Sequence, residues 1–181
     1  MRIISGEHKG RRLAGGKKTG LRPTSDRVKE SIFNVLQKEI QGRRILDLFA
    51  GAGTLGIEAL SRGAESVTFV DASRQSISIL KKNLHDLSLE GKSTIIRLDG
   101  LKALGKLKQK FHLVFADPPY LEGLVQRIVD SVARSEVLEK DGILILEHHK
   151  KEKFSFFQES LSVLKQKRFG DTMISFFLKV G

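Results

Sequence analysis

The sequence predicts an α/β chain with a mostly parallel sheet finished by an antiparallel hairpin. Three observations carry that prediction. Short apolar runs alternate with amphipathic segments from Arg43 to Glu147, an acid stands near the end of the first run and closes each of the next three, and the last two runs are separated only by Gly170-Asp171.

Taken in order, Arg2 to Leu13 alternates around Gly6 and Gly10 and predicts a small hairpin. A glycine and lysine loop from Ala14 to Gly20 follows. Thr24 or Ser25 can cap a helix whose apolar positions Val28, Ile32, Val35 and Leu36 share one face. The first strand is expected at Ile45–Phe49, with a brief helix through Leu55, Ile57 and Leu60. The second is expected at Ser66–Val70, ending at Asp71, with a helix bearing Ile77, Leu80, Leu84 and Leu87. Thr94–Leu98 leads to Asp99 and a short helix with Leu101, Leu104 and Leu107. His112–Ala116 leads to Asp117 and a helix with Leu121, Leu124, Ile128 and Val132. Ile143–Leu146 ends at Glu147, and Leu161–Phe169 with Thr172–Val180 forms the hairpin. Seven strands result. Residues 1–40 read as a basic extension and 41–181 as the sheet domain.

Composition narrows the function. With 181 residues the chain can bury one substantial core. It has no cysteine, which excludes disulfides, thiolate metal sites and any cysteine nucleophile. The lack of a long apolar run and of a signal-peptide core at the start predicts a cytoplasmic protein with no membrane partner. A metal site is not expected, because the adjacent His148 and His149 at a strand end point to opposite faces. The net charge is +11, and residues 1–44 hold twelve Lys and Arg against four acids. Such a segment suits a polyanion, since each neutralised phosphate releases counterions; a solvated arm that keeps the protein soluble fits the charge equally well.

Ligands of parallel sheets bind outside the carboxyl ends of the strands, where Asp47, Asp71, Asp99 and Asp117 converge. Asp47-Leu48-Phe49-Ala50-Gly51-Ala52-Gly53-Thr54-Leu55-Gly56 contains a GxGxxG match, with Asp71 twenty positions after Gly51. A nicotinamide site would bring pyrophosphate close to Asp47 and repel it. The same carboxylate suits the ammonium and sulfonium charges of S-adenosylmethionine. In that cradle Gly51 and Gly53 let the backbone approach, and Phe49, Ala72 and Gly100 adjoin the cofactor. Asp71 fits the ribose hydroxyls and Asp99 the adenine amino group, while Gly56 packs helix on sheet.

The tetrapeptide Asp117-Pro118-Pro119-Tyr120 holds two of the three prolines and the only tyrosine. A rigid turn would explain the prolines alone. Methylation of an exocyclic amino group explains all four residues. The Asp117 carboxylate and the Pro118 carbonyl accept its N–H groups, Pro119 stiffens the loop, and Tyr120 offers a stacking face.

DLFAGAG, the acid ending strand two and DPPY resemble the class I, Rossmann-like S-adenosylmethionine-dependent amino methyltransferases. Arg2 to Gly6, Lys9 to Leu13, Arg22 to Asn34, Leu55 to Ala64 and Gly170-Asp171-Thr172 are similar to the RsmD family, whose members methylate guanine N2 at one position of bacterial 16S ribosomal RNA. The resemblance runs nearly end to end and is weakest over Lys150–Ser160. It implies a monomer with 16S rRNA or the 30S subunit as partner. It also implies an RNA-gripping segment beside the active site, for which Lys9, Arg11, Arg12, Arg22, Arg27 and Lys29 are the candidates, with Arg22 and Arg27 nearest the target. Three alternatives stay open on the residues alone: an adenine-N6 methyltransferase, an inactive RNA-binding assembly factor and a nicotinamide dehydrogenase.

Overall fold

The computed structural model describes residues 1–15, 25–155 and 160–180. Its strands are β1 (Arg44–Leu48), β2 (Ser66–Asp71), β3 (Ser93–Arg97), β4 (Phe111–Ala116), β5 (Leu138–His149), β6 (Leu161–Phe169) and β7 (Thr172–Lys179). Its helices are α1 (Asp26–Leu36), α2 (Thr54–Ser61), α3 (Arg74–Asp86), α4 (Gly100–Leu104) and α5 (Leu124–Arg134). One seven-stranded sheet runs β3-β2-β1-β4-β5-β7-β6. The five strands from β3 to β5 are parallel, and β7 is inserted antiparallel between β5 and β6.

Side chains alternate across the pleat, so each central strand feeds two cores. Ile45, Phe69, Phe115 and Ile145 face a cluster with α1, α2 and α3. Leu46, Val70, Val114 and Leu144 face a second cluster with α4 and α5. The short apolar runs are continuous rather than alternating because both faces are covered. Among the described residues, no helix is long and apolar enough to cross a membrane.

Element bounds lie within a few residues of those expected, with two exceptions. β5 starts earlier, at Leu138, because the backbone turns at Asp141 (φ 61°) and the strand resumes its pairing with β4 after a register shift between Phe111 and Leu113. Leu121, expected on the face of α5, is instead 62% exposed at φ 63°, and the helix starts only after Gly123 at φ 69°. Ser25 caps α1, its Oγ accepting the Val28 N–H at 3.3 Å. Thr24, the other candidate cap, lies outside the described residues.

The expected N-terminal hairpin is present with a single antiparallel bridge, Arg2 to Arg12. It lies directly on α2: a Cβ at Gly6 would stand 1.8 Å from the Ser61 carbonyl oxygen, so no other residue fits that approach. The Glu58 carboxylate accepts the N–H groups of Ile4 and Ser5 at 2.8 and 3.0 Å. Ile3, Leu13, Ile32 and Phe33 share their cluster with Phe115 and Phe176, so residues 1–15 and α1 pack into the same core as the sheet.

Candidate active site

The strand order reverses between β1 and β4, which opens a crevice at their carboxyl ends. The cavity there has a volume of about 710 Å³. It is large enough for a nucleoside-sized cofactor and part of a second ligand. One wall is the glycine loop after β1 with the ends of β2 and β3. The other is the loop after β4 with the end of β5.

On the first wall the acids are held by the backbone close to them. Asp71 Oδ2 accepts the Gly51 N–H at 2.8 Å, and Oδ1 accepts the Ser73 N–H at 2.8 Å. Each oxygen keeps a further lone pair for a hydroxyl donor. Asp99 caps α4 through Oδ1, which accepts the Lys102 N–H at 3.0 Å. Gly51 sits at φ 55° with no atom within 4 Å of where a Cβ would stand, so the loop surface is open to a ligand. The Phe49 ring lines the cavity and lies so close to Gly100 that a Cβ there would be 2.7 Å from it.

Two cradle residues fall elsewhere. Asp47 is buried behind the loop, not among the cavity-lining residues, and its Oδ2 accepts the Gly56 N–H at 2.9 Å near the start of α2. Burial pushes its carboxyl up to about 7, with the backbone bond opposing the shift and the Asp71 charge adding to it. Its carboxylate meets the backbone behind the loop and not the cavity. Gly53 (φ 82°) precedes α2, and a Cβ there would stand 2.4 Å from Leu80 Cδ1. Gly56 packs helix on sheet as expected, 2.3 Å separating its hypothetical Cβ from the Phe69 ring.

On the second wall, Asp117, Pro118, Pro119 and Tyr120 all line the cavity. The Tyr120 hydroxyl donates to Glu147 Oε1 at 2.7 Å and lies 2.9 Å from Thr172 Oγ1. Burial and the Glu147 charge raise its pKa, so it stays a donor. The ring is thus fixed from β5 and β7 before any base arrives. Glu152 holds the loop on its other side, Oε1 accepting the Leu121 N–H at 3.0 Å and Oε2 the His149 N–H at 2.8 Å. This gives the weakly matching Lys150–Ser160 stretch a local task at its start.

Sequence reasoning did not place Glu147, Thr172 or Glu152 in the site. Glu147 had the same signal as the others, an acid closing a strand, and Thr172 belongs to Gly170-Asp171-Thr172. Glu152 has none, because a lone acid among lysines looks like a solvated face. His148 is buried with Nε2 2.9 Å from Ser175 Oγ, whereas the His149 ring faces Tyr120 edge-on at 5.8 Å.

Of the expected RNA contacts, Arg22 lies outside the described residues. Lys9, Arg11 and Arg12 are exposed, but Arg11 donates to the Asp86 carbonyl at the far end of α3, roughly 15 Å along the helix from the cavity residue Ser76. Arg27 is exposed, with its guanidinium 5.8 Å from the centre of the Phe169 ring beside the β6–β7 turn. Lys29 is corrected: it is 1% exposed and paired with Glu58 at 3.4 Å, so no phosphate can reach it. The fully buried Glu58, which also meets Arg62 at 2.8 Å, needs that cation to offset its desolvation.

A crevice at the β1/β4 reversal together with a last strand inserted antiparallel between β5 and β6 is the topology of the class I methyltransferases and not of the nicotinamide enzymes. The chain belongs to the family described as Conserved hypothetical protein 95, whose model matches residues 1–178. It is 39% identical to the Bacillus subtilis protein YlbH over 184 residues, covering 100% of each chain. It is 36% identical to the Ribosomal RNA small subunit methyltransferase D of Haemophilus influenzae over 173 residues, covering 94% of this chain and 89% of that protein. The solved structure of the Escherichia coli protein yhhF superposes with a TM-score of 0.90 at 30% identity, covering 99% of this chain and 98% of that one.

Proposed function

We propose that this chain transfers the methyl group of S-adenosylmethionine to the exocyclic N2 amino group of a guanine in 16S ribosomal RNA. The observation that carries this reading is that Asp71 and Asp99 on one wall share a cavity with Asp117 to Tyr120 on the other. Relatives named for small-subunit ribosomal RNA methylation support the substrate class.

The residues fit the cofactor. Asp71 would hold the ribose hydroxyls and Asp99 the adenine amino group, against the open backbone of Gly51 and the ring of Phe49. S-adenosylmethionine, when bound, supplies an electrophilic methyl group on a sulfonium centre. The Asp117 carboxylate and the Pro118 carbonyl accept the N–H groups of the target amine, which turns its lone pair out of conjugation. The Tyr120 ring stacks on the base, a contact worth about 1–3 kcal/mol. A base drawn out of its strand reaches this site, as base-modifying enzymes require.

The test is to incubate the protein with labelled cofactor and, separately, unmodified 30S particles, free 16S rRNA and DNA, then identify the labelled nucleoside. N2-methylguanosine from a ribosomal RNA arm is expected. Label recovered as N6-methyladenine overturns the guanine assignment, and label confined to DNA overturns the RNA assignment.

A further inference from the structure

We infer that Glu147 reads the edge of the target base and selects guanine over adenine, an inference that rests on the reaction proposed above. Glu147 stands two residues before the end of β5, the parallel neighbour of the strand that delivers Asp117, and it lines the cavity together with Asp117, Pro118 and Tyr120. It is only 7% exposed. Its carboxylate is held in place from outside its own strand, because the hydroxyl that donates to Oε1 at 2.7 Å also lies 2.9 Å from Thr172 on β7.

A carboxylate is acceptor-only, with about four lone-pair positions, more than the Tyr120 hydroxyl by itself can use. Among the described residues, that wall of the cavity carries three acceptors: Asp117, the Pro118 carbonyl and Glu147. Guanine suits such a wall. Its N2 carries two N–H groups, and the adjacent ring nitrogen N1 carries a third. With N2 held by Asp117 and Pro118 and the ring stacked on Tyr120, N1–H points along the wall toward Glu147. Adenine held by its N6 amino group would bring the bare lone pair of its N1 to the same carboxylate. Two acceptors face to face repel, and neither gains a bond. Sites that hydrogen-bond a specific substrate group reject analogues lacking it far more strongly than apolar pockets reject a missing methyl. The DPPY loop by itself serves either amine, so Glu147 supplies the discrimination that the tetrapeptide lacks.

The probe is small-subunit ribosomal RNA in which the target guanosine is replaced by 2-aminopurine riboside. That base keeps the amino group to be methylated but has a lone pair at N1. The protein should methylate guanine over 2-aminopurine by about tenfold to a hundredfold in kcat/KM, the size of one lost charge-assisted hydrogen bond. Glu147→Gln, whose amide can donate to N1, should shrink that ratio to near one or invert it. Glu147→Met, which has no acceptor oxygen, should erase it as well. Asp117→Asn, which alters the hold on the amino group common to both substrates, should slow both and keep the ratio, which separates reading the ring edge from holding the amine. Thermal stabilisation by S-adenosylhomocysteine, which depends on the opposite wall, identifies folded variants, and either Glu147 variant suffices. An unchanged ratio in a folded variant overturns the assignment. Failure of the unmutated protein to methylate guanine in any RNA overturns the reaction itself, and the assignment with it.

Discussion

The two walls of the cavity are built by different means. On the glycine-loop wall, the N–H groups that hold Asp71 and Asp99 come from residues two, three and twenty positions away in the chain. On the DPPY wall, Tyr120 is held by side chains 27 and 52 positions away, and Leu121 by one 31 positions away. The first wall is a product of strand ends and helix caps and forms wherever that local chain folds. The second exists only once β5 and β7 are paired, so it is the wall that a distant substitution can misalign.

Asp117→Ala is the strongest way to break this contrast. Removing an orienting acceptor should lower kcat by about 10²–10³ while leaving S-adenosylhomocysteine binding intact, since the other wall is untouched. Radiolabel transfer together with calorimetry of cofactor binding checks both halves of that statement, and a parallel loss of cofactor affinity would mean the walls are not independent.

Asp71→Asn probes the local wall. It removes the charge that accepts from Gly51 and Ser73 and would accept from a ribose, so cofactor affinity should fall by about ten- to a hundredfold, with little effect on RNA affinity. Calorimetric titration with S-adenosylhomocysteine measures it, and an unchanged Kd would remove Asp71 from the cradle.

Asp47 sharpens the point further, because it supports the local wall from behind. Its carboxyl is raised to about 7 by burial, well above the ordinary carboxylate value. Between those values the folded protein holds a proton that the unfolded chain has released, so stability is full at low pH and falls as pH rises toward and through 7. Asp47→Asn cannot ionise. It should match the unmutated protein near pH 4 and exceed it in urea midpoint at pH 8; equal midpoints at both pH values would contradict a buried, neutralised carboxyl.

The smallest effect on RNA binding is expected at the edge, with a buried lysine as its contrast. Arg27→Ala should weaken ribosomal RNA binding a few-fold and reduce the salt slope of log K by about one, while Lys29→Ala should leave the slope unchanged. Instead it should lower stability by about 3–5 kcal/mol, by leaving Glu58 without that partner. Filter binding at several salt concentrations distinguishes the two, and a changed slope for a folded Lys29 variant would show that the lysine leaves its buried place.

Much of the molecule is legible in its sequence because the relevant physics is local. Apolar periodicity set the seven strands and most of the helices. Acids at strand ends marked the crevice, and the hairpin turn at Gly170-Asp171 separated this sheet from the nicotinamide-binding one. Asp71, Asp99 and Asp117 to Tyr120 can be placed beside one another from the sequence because their positions follow from where a strand stops.

Tertiary structure alone decided which charged groups are buried and which side chains meet. Lys29 reads as one basic residue among twelve until α2 places Glu58 beside it. Asp47 reads as a cofactor ligand until its carboxylate turns inward to the Gly56 N–H. Glu147 gains its tie to the DPPY loop only when the sheet brings Tyr120 and Thr172 together beside it. Contacts across dozens of residues leave no period and no fixed spacing in the chain, so the DPPY motif is legible in the sequence while the folded sheet supplies the partners that hold it in place.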